Sequence, residues 1–102
     1  MAIGRTVTWL AAAVADVEEI VEVIARDSAA AAERFAKAIL DRASQLSHSP
    51  YLGSVCPHAR RARQIIHGNY IIYYSVHRRE IRIRAVVHGA RLFQSYWLRR
   101  KS

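Results

Sequence analysis

Near residue 50 the hydrophobic period of this chain changes from 3.6 residues to 2, which commits it to a helical first half packed on a stranded second half. Residues 11–27 set Ala13, Val17, Ile20, Val21 and Ile24 on one stripe, with Glu18, Glu19, Glu22 and Arg26 on the wet side. Asp27-Ser28 interrupts the pattern and offers an N-cap for the next helix. That helix covers residues 29–47, where Ala32, Phe35, Ala36, Ile39, Ala43 and Leu46 line one side and Glu33, Lys37 and Asp41 the other. So short a break makes the pair an antiparallel hairpin, and the many alanines let the two backbones approach closely. Ile20 and Phe35 are expected to be buried on these stripes.

The segment 48–59 reads as loop, with Pro50, Gly53 and Pro57. Strands follow at 60–67, 70–77 and 80–88, separated by Gly68-Asn69 and Arg78-Arg79. The last alternates, so Ile81, Ile83, Ala85 and Val87 are expected inward and Arg82, Arg84 and His88 outward. A short strand at 5–10, with Val7 and Trp9 on one face, precedes the hairpin. The predicted fold is α+β: an N-terminal strand, then an antiparallel helix hairpin packed on an antiparallel sheet of three to four strands. At 102 residues and 52% hydrophobic content this is one domain, 1–102, with a modest core.

Charge is divided as sharply as period. Residues 1–50 hold five Lys/Arg against seven Asp/Glu; residues 51–102 hold eleven against Glu80 alone. The halves carry −2 and +10, which together give the net +8. Such segregation marks a face that meets a polyanion or an acidic partner. Cys56 is the single cysteine, so no intrachain disulfide forms, as suits a reducing compartment. No apolar run reaches the length of a membrane span and no signal peptide is evident, so the expected location is cytoplasmic, with no membrane partner.

Most chemistries find no support. His48, His58, His67, His77 and His88 include no i,i+4 helical pair, and one cysteine makes no ligand set, so no metal or other cofactor is expected. Cys56 beside Pro57-His58 reads as a loop thiol, and there is no Gly-rich phosphate loop. The acids other than Glu80 fall on helix faces that read as solvated. The arginines remain. Arg61 and Arg63 alternate on one strand, Arg82 and Arg84 on another, and Arg91 follows His88-Gly89. Tyr70, Tyr73, Tyr74, Tyr96 and Trp97 interleave with them. Arginine with aromatic side chains suits nucleic acid or a protein hot spot; the plainer alternative makes Tyr70 and Tyr74 core and the arginines a solvated sheet face.

In order along residues 5–91 stand Val7-Thr8-Trp9, Asp16-Val17-Glu18-Glu19-Ile20, Ile24-Ala25 before Asp27-Ser28, Arg34-Phe35, Pro50-Tyr51-Leu52-Gly53, the strand opened by Gly68-Asn69-Tyr70, and His88-Gly89-Ala90-Arg91. Together these resemble the RelE/ParE toxin superfamily, and its ParE-like branch in particular, with residues 92–102 a variable tail. The resemblance implies the toxin half of a bacterial type II toxin–antitoxin system. It implies growth arrest through DNA gyrase and a hetero-oligomer with a cognate antitoxin encoded beside it. The candidate target-binding residues are Arg61, Arg63, Arg82, Arg84 and Arg91; the antitoxin-binding residues are not fixed by the sequence, with Arg82, Arg84, Phe93 and Trp97 the candidates. The RelE-like alternative is a metal-independent endoribonuclease acting on ribosome-bound mRNA through Arg61, Arg63, His88, Arg91 and Tyr96. It fits less well: arginine stays protonated and cannot serve as base, and Ile71 stands where RelE-like chains carry an Arg. A basic, non-toxic nucleic-acid or protein-binding module is the alternative outside the superfamily.

Overall fold

The computed structural model describes residues 4–57 and 59–89. Strand β1 (Thr6–Trp9) leads into helices α1 (Ala11–Ala25) and α2 (Ala29–Ser44), and a 3₁₀ turn (Gln45–Ser47) closes the hairpin. Then come β2 (Ser54–Val55), β3 (Arg63–His67), β4 (Tyr70–Val76) and β5 (Glu80–His88). The α+β architecture is as read from the sequence, with a fuller sheet. It has five strands in the order β1-β5-β4-β3-β2. β1 joins β5 in parallel, pairing Thr6 with Glu80 and Trp9 with Ile83, and the other pairings are antiparallel. The extra strand β2 comes from the predicted loop.

The helices form where the 3.6-residue stripe demanded. Ser28 caps α2, its hydroxyl accepting from the Ala31 amide at 3.1 Å. Ala13, Ala32 and Ala43 are buried, small enough for the hairpin to lie close on the sheet. The main core joins Ile39 and Leu46 to Ile65, Ile72, Tyr74, Ile81, Ile83 and Val86. Val7 and Trp9 pack against it from one face of β1, as the alternation predicted. Ile20 and Phe35 are half-buried rather than buried. Phe35 sits at the margin of the core, its ring 5.0 Å from that of Tyr70 and 6.5 Å from that of His67.

The alternation of β5 breaks at one residue. Register passes from Tyr73↔Ala85 to Tyr74↔Ile83, so Arg84 is the extra residue of a β-bulge. A bulge reverses the parity of all that follows. Ile81 and Ile83 face the helices, and beyond the bulge Val86 takes that role. Ala85 and Val87, expected beside Ile81, turn to the other side of the sheet. There they build a second, smaller cluster with Cys56, Ala62 and Tyr73. Burial, and then the nearby Cys56 thiol, push the Tyr73 phenol up to about 12.

Two further departures have local causes. Residues 60–62 do not extend β3, because Arg61 adopts φ +59°, a left-handed conformation that costs a side-chain-bearing residue roughly 1–2 kcal/mol. The sheet edges are also answered from the helices. Asp16 Oδ2 accepts from the Val86 amide at 2.9 Å, beyond the end of β1, and Arg42 Nη2 reaches the Ile66 carbonyl at 3.4 Å, beyond the end of β2. Asp16 is thus a structural group, not the solvated acid its helix pattern suggested.

Ile39 is fully buried at the centre of the main core. Ile39→Ala is expected to destabilise the domain by about 2–5 kcal/mol, read as a fall in denaturation midpoint at unchanged m-value. A loss under 1 kcal/mol would mean that α2 does not pack in this register.

Candidate functional site

The start of β3, the 56–62 segment and the β4–β5 turn lie at one end of the sheet, because Arg63 pairs with Tyr74 and Val76 with Ile81. This end collects arginines. Arg60, Arg61, Arg78 and Arg79 are exposed there, and Arg5 donates through Nε to the His77 carbonyl at 2.9 Å. Arg82, with a 46% exposed side chain, pairs with Glu80 through Nε···Oε1 at 2.6 Å. The other oxygen of Glu80 accepts from the Thr8 hydroxyl at 2.9 Å. The bond from Arg82, and after it that from Thr8, hold the Glu80 carboxyl below its ordinary 4.5.

Arg61 and Arg63 do not share a strand face, contrary to the expectation from their spacing. Arg61 stands outside β3 in the left-handed turn. Arg63 is half-buried and turned inward. Its Nη2 donates to the Gly53 carbonyl at 2.6 Å and reaches that of Tyr51 at 3.5 Å. Its guanidinium carbon lies 5.2 Å from the centre of the Tyr51 ring, and its buried Nε has no hydrogen-bond partner. Arg84 and Arg82 do not continue one alternating row either, since Arg84 is the bulge residue and is half-buried.

Arg63 shares its task with Tyr74. The Tyr74 ring is fully buried; its hydroxyl donates to the Pro50 carbonyl at 2.9 Å and accepts from the Gly53 amide at 3.0 Å. Gly53 must be glycine, since a Cβ there would run into the Gln64 backbone. Pinned in this way, the 50–55 loop turns three apolar side chains to solvent: Tyr51 at 63%, Leu52 at 51% and Val55 at 67% exposure. The sequence pattern places Tyr51 and Leu52 within the Pro50–Gly53 motif but marks neither of them, nor Val55, as an exposed contact residue. The available signal was a run of apolar residues inside a segment rich in turn formers.

At the far end of the sheet the histidines are dispersed. His67 meets Phe35, and His88 sets its ring edge-on to Tyr70 at 5.2 Å, in a groove it lines with Asp16, Glu19 and Ile20. His77, at the arginine end, bonds the Ser75 hydroxyl through Nε2 at 2.9 Å. Among the described residues no three His, Cys, Asp or Glu side chains gather as a metal site, and Cys56 is buried. From Ile83, level with Tyr74 and Arg63, five residues of strand lead to His88, about 16 Å. The described residues among those proposed for RNA cleavage are therefore not brought together: Arg61 and Arg63 lie at one end and His88 at the other. Arg91, Phe93, Tyr96 and Trp97 lie outside the described residues. A separate apolar groove crosses the hairpin, lined by Trp9, Val14, Val17, Ala36 and Leu40. No helix among the described residues is long and apolar enough to cross a membrane.

The class these features define is a small α+β domain with a basic rim, an apolar helix groove and dispersed ionisable groups. Residues 7–93 match the family described as ParE toxin of type II toxin-antitoxin system, parDE, and the chain belongs to that family. Among solved structures it is similar to a chain described as the chromosomal ParDE TA system from P. aeruginosa, with a TM-score of 0.72 and 17% identity. That likeness covers 82% of this chain and 95% of the other, and at such low identity it speaks for the fold. No curated protein matches.

Two outcomes test this geometry. Tyr74→Phe keeps the ring in the core but leaves the buried Pro50 carbonyl and Gly53 amide unsatisfied, and is expected to cost about 1–3 kcal/mol. The Gly53 amide should lose hydrogen-exchange protection; unchanged protection would show that the phenol does not hold the loop. Glu80→Gln should lower the Tm at neutral pH. Because the folded carboxyl titrates below its unfolded value, its contribution is present above 4.5 and lost as pH falls through the folded pKa. The Tm gap between parent and variant should therefore close on acidification, and a gap that persists in acid would contradict the assignment.

Proposed function

We propose that this ParE-family toxin arrests bacterial growth in the cytoplasm by inhibiting DNA gyrase, without catalysis of its own, and that a cognate antitoxin encoded beside it neutralises it. The observation that carries the choice against RNA cleavage is the separation of Arg61 and Arg63 from His88 along the sheet. General acid–base cleavage needs its groups within hydrogen-bond reach of one substrate, and arginine cannot supply the base. A toxin that works by binding needs only a surface. Arg61, Arg82 and Arg84 are the target contacts within the described residues, with Arg91 beyond them. Arg63 supports them indirectly by fixing the loop.

Neutralisation needs a partner that covers apolar surface. Val14, Val23 and Leu40 stand 39–54% exposed on the helices, and the groove over Trp9 and Val17 suits an amphipathic antitoxin segment that orders on binding. Arg82, Arg84, Phe93 and Trp97 remain the proposed polar and aromatic contacts. The similar P. aeruginosa chain is described as part of a ParDE TA system, which supports a pairing of this kind.

The purified protein is expected to reduce supercoiling by gyrase while leaving ribosome-bound mRNA intact, and co-expression of the neighbouring frame should yield a stable complex and restore growth. His88→Gln should stay fully toxic. Ribosome-dependent mRNA cuts that vanish in this variant would reverse the choice of mechanism.

A further inference from the structure

The 50–55 loop presents a combination the fold does not need. Among the described residues Tyr51 and Val55 are the two most exposed of the large apolar side chains, with Leu52 between them. A loop at a sheet edge could hide such groups by moving, but this one is fixed by the buried Tyr74 hydroxyl and by Arg63. A rigid apolar tip loses little entropy when it docks. Tyrosine beside arginine is the composition of binding hot spots.

The charge around the tip is equally specific. Arg60 and Arg61 are exposed, and Glu80, the single acid of the second half, is paired with Arg82 at the β1–β5 junction instead of with either of these. Arg63 is half-buried against carbonyl oxygens, and a carboxylate would compensate its charge better than they do. Arg61 holds φ +59°, a conformation glycine or asparagine would adopt more easily. A strained backbone that carries a solvent-facing guanidinium points to a use for that side chain outside the fold.

We propose that Tyr51, Leu52 and Val55, with Arg60 and Arg61, form the face that docks on the toxin's protein target, against an acidic surface that offers a pocket for the apolar tip. The target is taken to be gyrase, so the inference rests on the function proposed above. Carboxylates answer the guanidinium groups, and a pocket covers Leu52 and Val55. A nucleic-acid backbone would match the charges but leave both side chains in water. The face is separate from the helix groove assigned to the antitoxin: β1, carrying Trp9, and β2, carrying Val55, are opposite edges of the five-stranded sheet, roughly 19 Å apart at ordinary strand spacing.

Three variants test the face in supercoiling assays with purified gyrase, in induced expression, and in co-purification with the antitoxin. Leu52→Ser removes the apolar tip. Arg61→Gly removes the guanidinium while relieving the left-handed backbone, so its Tm should hold or rise. Arg34→Ala removes an equal charge from the exposed face of α2. Leu52→Ser and Arg61→Gly are each expected to raise the half-inhibitory concentration by about ten-fold or more, to relieve arrest, and to keep antitoxin binding; Arg34→Ala should match the parent. Undiminished inhibition by both variants overturns the proposal. So does loss of antitoxin binding in place of target inhibition. It is likewise overturned if the parent binds duplex DNA alone and only Arg61→Gly abolishes this, which would assign the rim to nucleic acid. If the parent leaves gyrase untouched, the gyrase reading fails by itself, and growth arrest then judges the face. Relief by both variants, with Arg34→Ala still toxic, sustains a docking face for another acidic protein; continued arrest removes it.

Discussion

Strand β5 is the shared member on which the rest depends. Its first four residues bond β1 on one side, while its whole length follows β4 on the other. The bulge at Arg84 then lets one strand serve two hydrophobic faces. Before it, Ile81 and Ile83 are committed to the helices; after it, Ala85 and Val87 are released to the opposite face, where the 56–62 segment covers them with Cys56 and Ala62. Without the extra residue Val86 would leave the helix side, and the Asp16 carboxylate would lose the amide it caps.

Much of this was legible in the residues, and the rest was hidden for physical reasons. The hairpin, the Ser28 cap, the Gly68-Asn69 turn and the shared face of Val7 and Trp9 follow from period and local chemistry, which act over a few residues. The bulge does not, because Ile81-Arg82-Ile83-Arg84-Ala85 alternates perfectly and only its pairing with Tyr73 and Tyr74 shows where a residue is left over. The parallel seat of β1 was invisible for the same reason, since its partner lies at the other end of the chain. Arg61 and Arg63 were misread as one face because spacing assumes an extended backbone, and Arg61 is left-handed. At the candidate site the arginines were visible as a class, but not their division into a structural one, Arg63, and exposed ones.

The charge asymmetry therefore resolves into different tasks. Glu80, the single acid of the second half, is consumed by Arg82 and Thr8 at the junction of β1 and β5. Arg63 holds a loop. Arg60, Arg61, Arg78 and Arg79 are left facing solvent, which keeps one end of the sheet positive while the acids of α1 sit toward the other. Such a molecule has a direction, and a partner approaching through a field of this kind is oriented before contact.

The pairing of Thr6 with Glu80 joins positions seventy-four residues apart, and this bears on synthesis. Loop closure over such a span opposes early pairing, so on the ribosome the first strand emerges long before the strand that receives it. Until β5 has left the exit tunnel, Trp9, Ile39 and Leu46 lack the surface that buries them, and the hairpin waits unsupported. Native packing of the hairpin therefore follows the synthesis of β5 instead of accompanying that of the helices.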